Sequence, residues 1–142
     1  MNTRLCMLAA VAALLAFNRP ALAHHSFAAE FDADQPVTVN GAVSKMDWVN
    51  PHSWIYVDVK GADGTVVTWR FEMGPPNALL RMGWRKDSIP PGTPVKIEGY
   101  RAKSGKAVAN AKTVTLPDGR ELFSGGSAPA GLSEAAAGAK QP

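Results

Sequence analysis

Residues 67–73 alternate strictly: Val67, Trp69, Phe71 and Met73 are apolar, while Thr68, Arg70 and Glu72 between them are polar. Successive side chains of an extended strand point to opposite faces, so this pattern specifies a strand with one buried face. A helix would scatter the same four apolar residues around its circumference. Period two dominates the whole of residues 36–122, which makes the chain a β protein. Ile55, Val57 and Val59 form the preceding strand, joined to this one through Gly61-Ala62-Asp63-Gly64, a hairpin-type turn.

The first strand, over residues 37–48, changes parity partway. Val37, Val39 and Val43 occupy odd positions, Met46 and Trp48 even ones. A single bulge near Ser44-Lys45 reconciles both halves with one core, because it inserts one residue and bends the strand. Gly41 eases the same bend. Beyond the third strand, Pro75-Pro76-Asn77 stops the extended run, residues 78–82 are helix-compatible, and Gly83 is placed to end the turn. Pro90-Pro91-Gly92 leads into a strand with Val95 and Ile97 inward and Lys96 and Glu98 outward. Ser104-Gly105 turns into a last strand with Val108, Val114 and Leu116, closed by Pro117-Asp118-Gly119. The expected fold is therefore all-β with one short helix. Its order (long bent strand, two strands, helix, two strands) is that of a small five-stranded OB-like Greek-key barrel. A small sandwich or an open meander would share these strand signals.

The ends of the chain read differently. Arg4 precedes an uncharged apolar run over residues 5–17; Asn18-Arg19-Pro20 breaks it, and Ala21-Leu22-Ala23 supplies the small-x-small pattern of a signal-peptidase site. The run is too short to span a bilayer, which takes roughly 20 apolar residues. Cys6 stands at its start, so it is not a lipoprotein attachment site. The expected organisation is a cleaved signal peptide over 1–23, an N-terminal segment over 24–35, the barrel over 36–123 and a disordered Ala/Gly-rich tail over 124–142. Leu132 is the tail's single bulky apolar residue, too little burial to offset the entropy of ordering it. The expected location is the periplasm or the exterior, with no membrane span left after cleavage.

Cleavage changes the chemistry available. The net charge of +3 falls to +1, because Arg4 and Arg19 leave and no acidic residue does. A nearly neutral exported domain is a poor binder of nucleic acid, which relies on neutralising phosphates. The single cysteine leaves as well, so no disulfide forms and ordinary core packing must hold the fold.

His24-His25-Ser26-Phe27 at the expected mature start, Phe31-Asp32, Gly41-Ala42-Val43, Trp48-Val49-Asn50-Pro51-His52, Gly83-Trp84 and Asp118-Gly119-Arg120 together resemble a family of small exported bacterial proteins of unknown function. The resemblance runs from His24 to about Phe123. It implies export and a single domain, and it carries no activity or catalytic residue with it.

The expected mature chain has three histidines, His24, His25 and His52. Cleavage after Ala23 would give His24 a free α-amine beside its own imidazole, and the two nitrogens can chelate one ion. A second imidazole completes a three-nitrogen, T-shaped site of the kind Cu(II) favours, similar to the histidine brace of copper oxygenases and of some copper-transport proteins. His52, after Pro51 in the loop leaving the first strand, is the natural second imidazole; His25 could replace it or bind separately. The simpler roles are a frayed polar terminus for His24 and His25 and a turn residue for His52. Met46 and Met73 fall on apolar faces, where core packing explains them better than thioether ligation. Glu30, Asp32 and Asp34 lack the glycine-anchored spacing of a calcium loop and read as a solvated face.

Trp54 and Tyr56 point opposite to Ile55 and Val57, with Trp48 and His52 close in sequence. Such aromatics on the face of an OB-type barrel stack on sugars or bases. Covering of that face by residues 27–31 or by the helix is the alternative. No Gly-x-Ser-x-Gly elbow, cysteine nucleophile, P-loop or dinucleotide fingerprint is present after residue 23. The leading expectation is thus a non-enzymatic envelope binding domain whose ligand is a small molecule, a glycan or a protein partner. A copper protein using His24 and His52, as carrier or oxidative enzyme, is the alternative.

Overall fold

The computed structural model describes residues 27–126, so the expected signal peptide, His24, His25 and most of the expected tail lie outside the described residues. In order, the elements are α1 (Phe27–Glu30), β1 (Phe31–Asp47), β2 (Trp54–Lys60), β3 (Val66–Glu72), α2 (Pro76–Arg81), β4 (Pro94–Ala102), β5 (Val108–Thr115) and β6 (Glu121–Phe123).

β1 is long enough to serve two partners. Up to Ala42 it pairs antiparallel with β4, and from Ala42 onward it pairs antiparallel with β2. Between Val43 and Lys45 the register slips, which leaves Ser44 as the bulged residue. Val43 is consequently buried at 1% exposure, and Met46 packs against the same core despite its opposite parity. Gly41 lies at the crossover: a Cβ there would meet the Asp58 carbonyl oxygen and come within 2.7 Å of Val57 Cγ1. Only glycine lets β1 cross β2 so closely.

β2 and β3 form an antiparallel hairpin, β4 and β5 another, and β3 pairs parallel with β5 through Arg70–Val108, Phe71–Ala109 and Glu72–Asn110. That last pairing closes a ring in the order β1, β2, β3, β5, β4. Inside it lie Ile55, Val57, Phe71, Ile97 and Val114, all fully buried. Toward the 61–64 hairpin the apolar face of β3 runs out, with Trp69 half-buried and Val67 exposed. Pro76 opens α2 at a position where its missing N–H costs nothing, and Gly83, at φ 91°, ends the turn after Met82. Leu79 and Trp84, both fully buried, join the core from this segment, and the Trp84 indole N–H donates to the Phe123 carbonyl at 2.9 Å.

The fold is thus mostly β, as expected, with differences at the edges. Among the described residues there are six strands rather than five. β6 holds only three residues, paired through Val114–Leu122 and its neighbours, too short for periodicity to reveal. β1 begins at Phe31, inside the segment expected to precede the sheet, and α1 is a second short helix. Both follow from a small apolar cluster outside the ring, in which Phe27 packs on Phe31 and edge-on against Tyr100, with Ala102 beside them. Ser124, assigned to the tail, is fully buried: its N–H donates to Lys112 and its carbonyl accepts from Gly74.

Candidate functional site

On β2 and β3 the odd-numbered residues enter the ring, so the even-numbered ones face outward. Register then aligns two rungs across four strands. One is Lys45–Tyr56–Arg70–Val108; the next is Asp47–Trp54–Glu72–Asn110. Trp54 and Tyr56 therefore stand side by side on the outer face, each half-buried. Each ring carries a cation: Lys45 Nζ lies 4.2 Å from the Tyr56 centroid, and Arg70 Cζ lies 5.1 Å from that of Trp54. Lys45 also pairs with Asp47 at 3.0 Å. Hydrogen bonds from Lys45 and the Tyr56 hydroxyl hold the Asp47 carboxyl below the ordinary carboxylate range. Burial, and then the hydrogen bond to Asp47, push the Tyr56 phenol above its ordinary value. The same face opens into a cleft of about 440 Å³ whose lining includes Trp54, Arg70, Phe31, Lys103 and Val108.

The second rung changes character along its length. Trp54 is half-buried, whereas Glu72 is 5% exposed and Asn110 fully buried. A carboxylate taken out of water needs partners. Asn110 Nδ2 donates to Glu72 Oε1 at 3.2 Å, and His52 Nδ1 lies 3.6 Å from the same oxygen. The 50–53 loop delivers His52 there. Its Asn50–Pro51 bond is cis, and Ser53 is bound to the end of β3 through Ser53 N–H to Gly74 O (3.1 Å) and Met73 N–H to Ser53 O (2.8 Å).

Of the residues singled out from sequence, Trp54 and Tyr56 come together and His52 lies at the buried polar end of the same face. Trp48 does not join them; it packs against the ring's interior, where the parity change at the bulge sends it. His24 and His25 lie outside the described residues. Met46 and Met73 are core, and Asp32 spends a carboxylate oxygen on the Asp34 N–H at 3.0 Å. Among the described residues no group of three or more His, Cys, Asp and Glu side chains gathers to hold a metal. Sequence reading passed over Lys45, Arg70, Glu72 and Asn110. The polar alternation of β3 already placed Arg70 and Glu72 outward; Asn110, between two small alanines of β5, carried no such signal.

Fold and face together define a mostly β ring with an outward aromatic and cationic surface and, at its margin, a buried Glu72–Asn110 pair with half-buried His52 beside it. The chain belongs to a family of unknown function, DUF6152, whose model matches residues 11–111, from within the N-terminal apolar run to the middle of β5. No curated protein and no solved structure matches it. Among the described residues no helix is long and apolar enough to cross a membrane.

Proposed function

We propose that this chain is an exported, non-enzymatic binding domain of the bacterial envelope, built as an OB-type barrel, and that Trp54, Tyr56 and the adjoining cleft hold its ligand. The ring order β1-β2-β3-β5-β4, the long first strand shared by two partners and the helix between β3 and β4 support the OB reading. One observation carries the functional reading: Trp54 faces a cleft of about 440 Å³ whose lining sets two cations, Arg70 and Lys103, against one carboxylate, Glu30, and so keeps a net positive charge. An indole face packs on the C–H face of a sugar, and two cations can pair with an acidic substituent, so the ligand class is an acidic glycan or a similar small envelope molecule. Titration of uronic-acid oligosaccharides into 15N-labelled protein tests this. The expected result is a shift confined to the Trp54 indole and its β3 neighbours and abolished in Trp54→Ala. Silence toward both acidic and neutral oligosaccharides would sink it.

A second reading, copper binding by the α-amine and imidazole of His24 with the imidazole of His52, is favoured by the Glu72 carboxylate 3.6 Å from Nδ1 of the half-buried His52, a common setting of a metal-ligating histidine. Sub-micromolar 1:1 Cu(II) binding by protein whose intact mass begins at His24, lost in His52→Ala, supports it. Weak binding indifferent to His52 overturns it.

A further inference from the structure

We propose that the edge of β3 from Val66 to Trp69 is a self-association surface, through which two copies of this chain pair antiparallel as a weak, reversible dimer with Val66 facing Val66 across the two-fold axis.

The edge follows from the hydrogen-bond parity of the β2–β3 hairpin. Gly61 N–H donates to Thr65 O and Met73 N–H to Ser53 O, each at 2.8 Å, so the odd-numbered residues of β3 turn their backbone groups toward β2. The even-numbered ones turn theirs away, and Arg70 N–H accordingly donates to Ala107 O at 3.0 Å. β5 takes up that side only from Arg70 onward. Among the described residues no strand pairs with Val66 or Thr68 there, so their N–H and C=O groups are left to water. The side chains are open too: Val66 keeps 59% of its surface and Val67 48%.

Composition marks this edge off from the others. Residues 65–69 read Thr-Val-Val-Thr-Trp, uncharged and of the β-branched and aromatic types that strands favour. Proteins blunt exposed edges with charges, proline or brevity. The half of β1 that pairs with β4 carries Asp32, Asp34 and Pro36, and β6 holds only three residues. β3 has none of these devices between Val66 and Trp69, and such an edge is a template for another strand.

The occupant is a second copy because the edge is complementary to itself. β5 blocks it from Arg70 onward, so an incoming strand must centre on the hairpin side, and an antiparallel copy does so with Val66 on Val66. That pair exchanges two hydrogen bonds, each copy giving one N–H and one C=O. Thr68 then stands across from Gly64 of the other copy, where open space surrounds the missing side chain. The same register carries the 61–64 turn, with its Asp63 carboxylate, to the end of β3 where Arg70 and Lys106 supply exposed cations. The two Lys60 side chains, each the cross-strand neighbour of Val66 in its own copy, stay three strand spacings apart, roughly 14 Å and beyond the reach of screened repulsion. A contact this short buries little area, which makes the dimer weak.

The test takes the protein in its native processed form through sedimentation velocity over a concentration series, with amide hydrogen exchange at the two ends of that series. Sedimentation should move from monomer toward dimer, and exchange at Val66 should slow as it does, while Val67 and Trp69, bonded to β2, stay as they were. Val66→Pro removes the N–H that the two-fold pair needs and spares the ladder to β2, at the first residue of the strand, where proline is tolerated. Self-affinity should fall roughly tenfold or more in this variant, with circular dichroism confirming its fold. Val66→Lys keeps the N–H but sets like charges face to face, and should weaken the dimer as well even if the proline variant fails to fold. A protein that stays monomeric throughout overturns the inference. So does a dimer that folded Val66→Pro and Val66→Lys form as readily as the wild type, because another surface then makes it. Protection of Val66 that is the same at both concentrations overturns it too, since the chain then covers its own edge.

Discussion

Two neighbouring rungs of one sheet, Lys45–Tyr56–Arg70 and Trp54–Glu72–Asn110, use the same backbone geometry to opposite ends. On the first, charges sit at the solvent boundary over aromatic rings, where water competes for every contact and an ion pair adds little. On the second, the carboxylate and the amide are sealed away. There each polar group depends on its neighbour, because an unmade buried hydrogen bond costs the full desolvation of the group left behind. The open rung is therefore free to exchange its partners for a ligand, and the closed one is suited to holding a side chain in one orientation. Arg70, Phe71 and Glu72 are consecutive on β3 and sample the open face, the ring's interior and the closed end in turn. Substitutions on this strand and its register partners grade the contrast.

The interior sets the upper bound. Phe71 is fully buried and stacks on Trp69 at 5.9 Å. Phe71→Ala should cost about 3–5 kcal/mol by loss of transfer energy plus cavity, measured by chemical denaturation with an unchanged m-value. A loss under about 1 kcal/mol would mean the ring collapses around the gap, and the interior could no longer serve as the rigid reference for the outer face.

Next comes the closed end. Asn110→Ala strips Glu72 Oε1 of the one side-chain amide shown donating to it, and should cost about 1–3 kcal/mol. The comparison sharpens if the double variant Asn110→Ala, Glu72→Ala loses less than the sum of the singles, since the two side chains are then one unit. Strict additivity would break it, because the amide and the carboxylate would each be satisfied independently.

How far these regions could be read from sequence differs for a physical reason. The ring's interior was legible because burial there follows period two: Ile55, Val57, Phe71, Val95 and Ile97 are all buried as the alternation required. Even the bulge at Ser44 was visible, since a parity change within one strand has few other causes. The outer face gave half its content. Alternation put Trp54, Tyr56, Arg70 and Glu72 outward but is silent on what covers them, so a half-buried tryptophan and a sealed carboxylate on neighbouring strands looked alike. Asn110 was opaque, because the parallel contact of β3 with β5 is a long-range event that leaves no local pattern. β6 and Ser124 were missed for a related reason: β6 brings a single apolar side chain, Leu122, to the core, too little for a period to show, and Ser124 is held by backbone hydrogen bonds beside close-packed Gly74 and Gly125.

The smallest expected effect lies on the open face and is read in a titration. Asp47 accepts from both Lys45 and the Tyr56 hydroxyl, so its carboxyl is depressed, while the Lys45 ammonium and the Tyr56 phenol are raised. The signs follow from which form the fold prefers. The folded state favours the Asp47 carboxylate, so that contribution is present above the ordinary aspartate value and is lost as pH falls through the depressed one. It also favours protonated Lys45 and neutral Tyr56, so theirs are present below the ordinary values of 10.5 and 10.0 and are lost as pH rises through the raised ones. Asp47→Asn removes the charge that both depend on. Stability near neutral pH should change by less than about 1 kcal/mol, as for other exposed pairs. The Tyr56 titration midpoint should nonetheless fall, because burial alone then raises it, against the pull of Lys45 and Arg70. Following the tyrosine ring carbons by 13C NMR resolves Tyr56 from Tyr100. A Tyr56 midpoint that stays put in Asp47→Asn would show that the open rung is held by ring burial and not by its charges, and the contrast with the closed end would lose its electrostatic half.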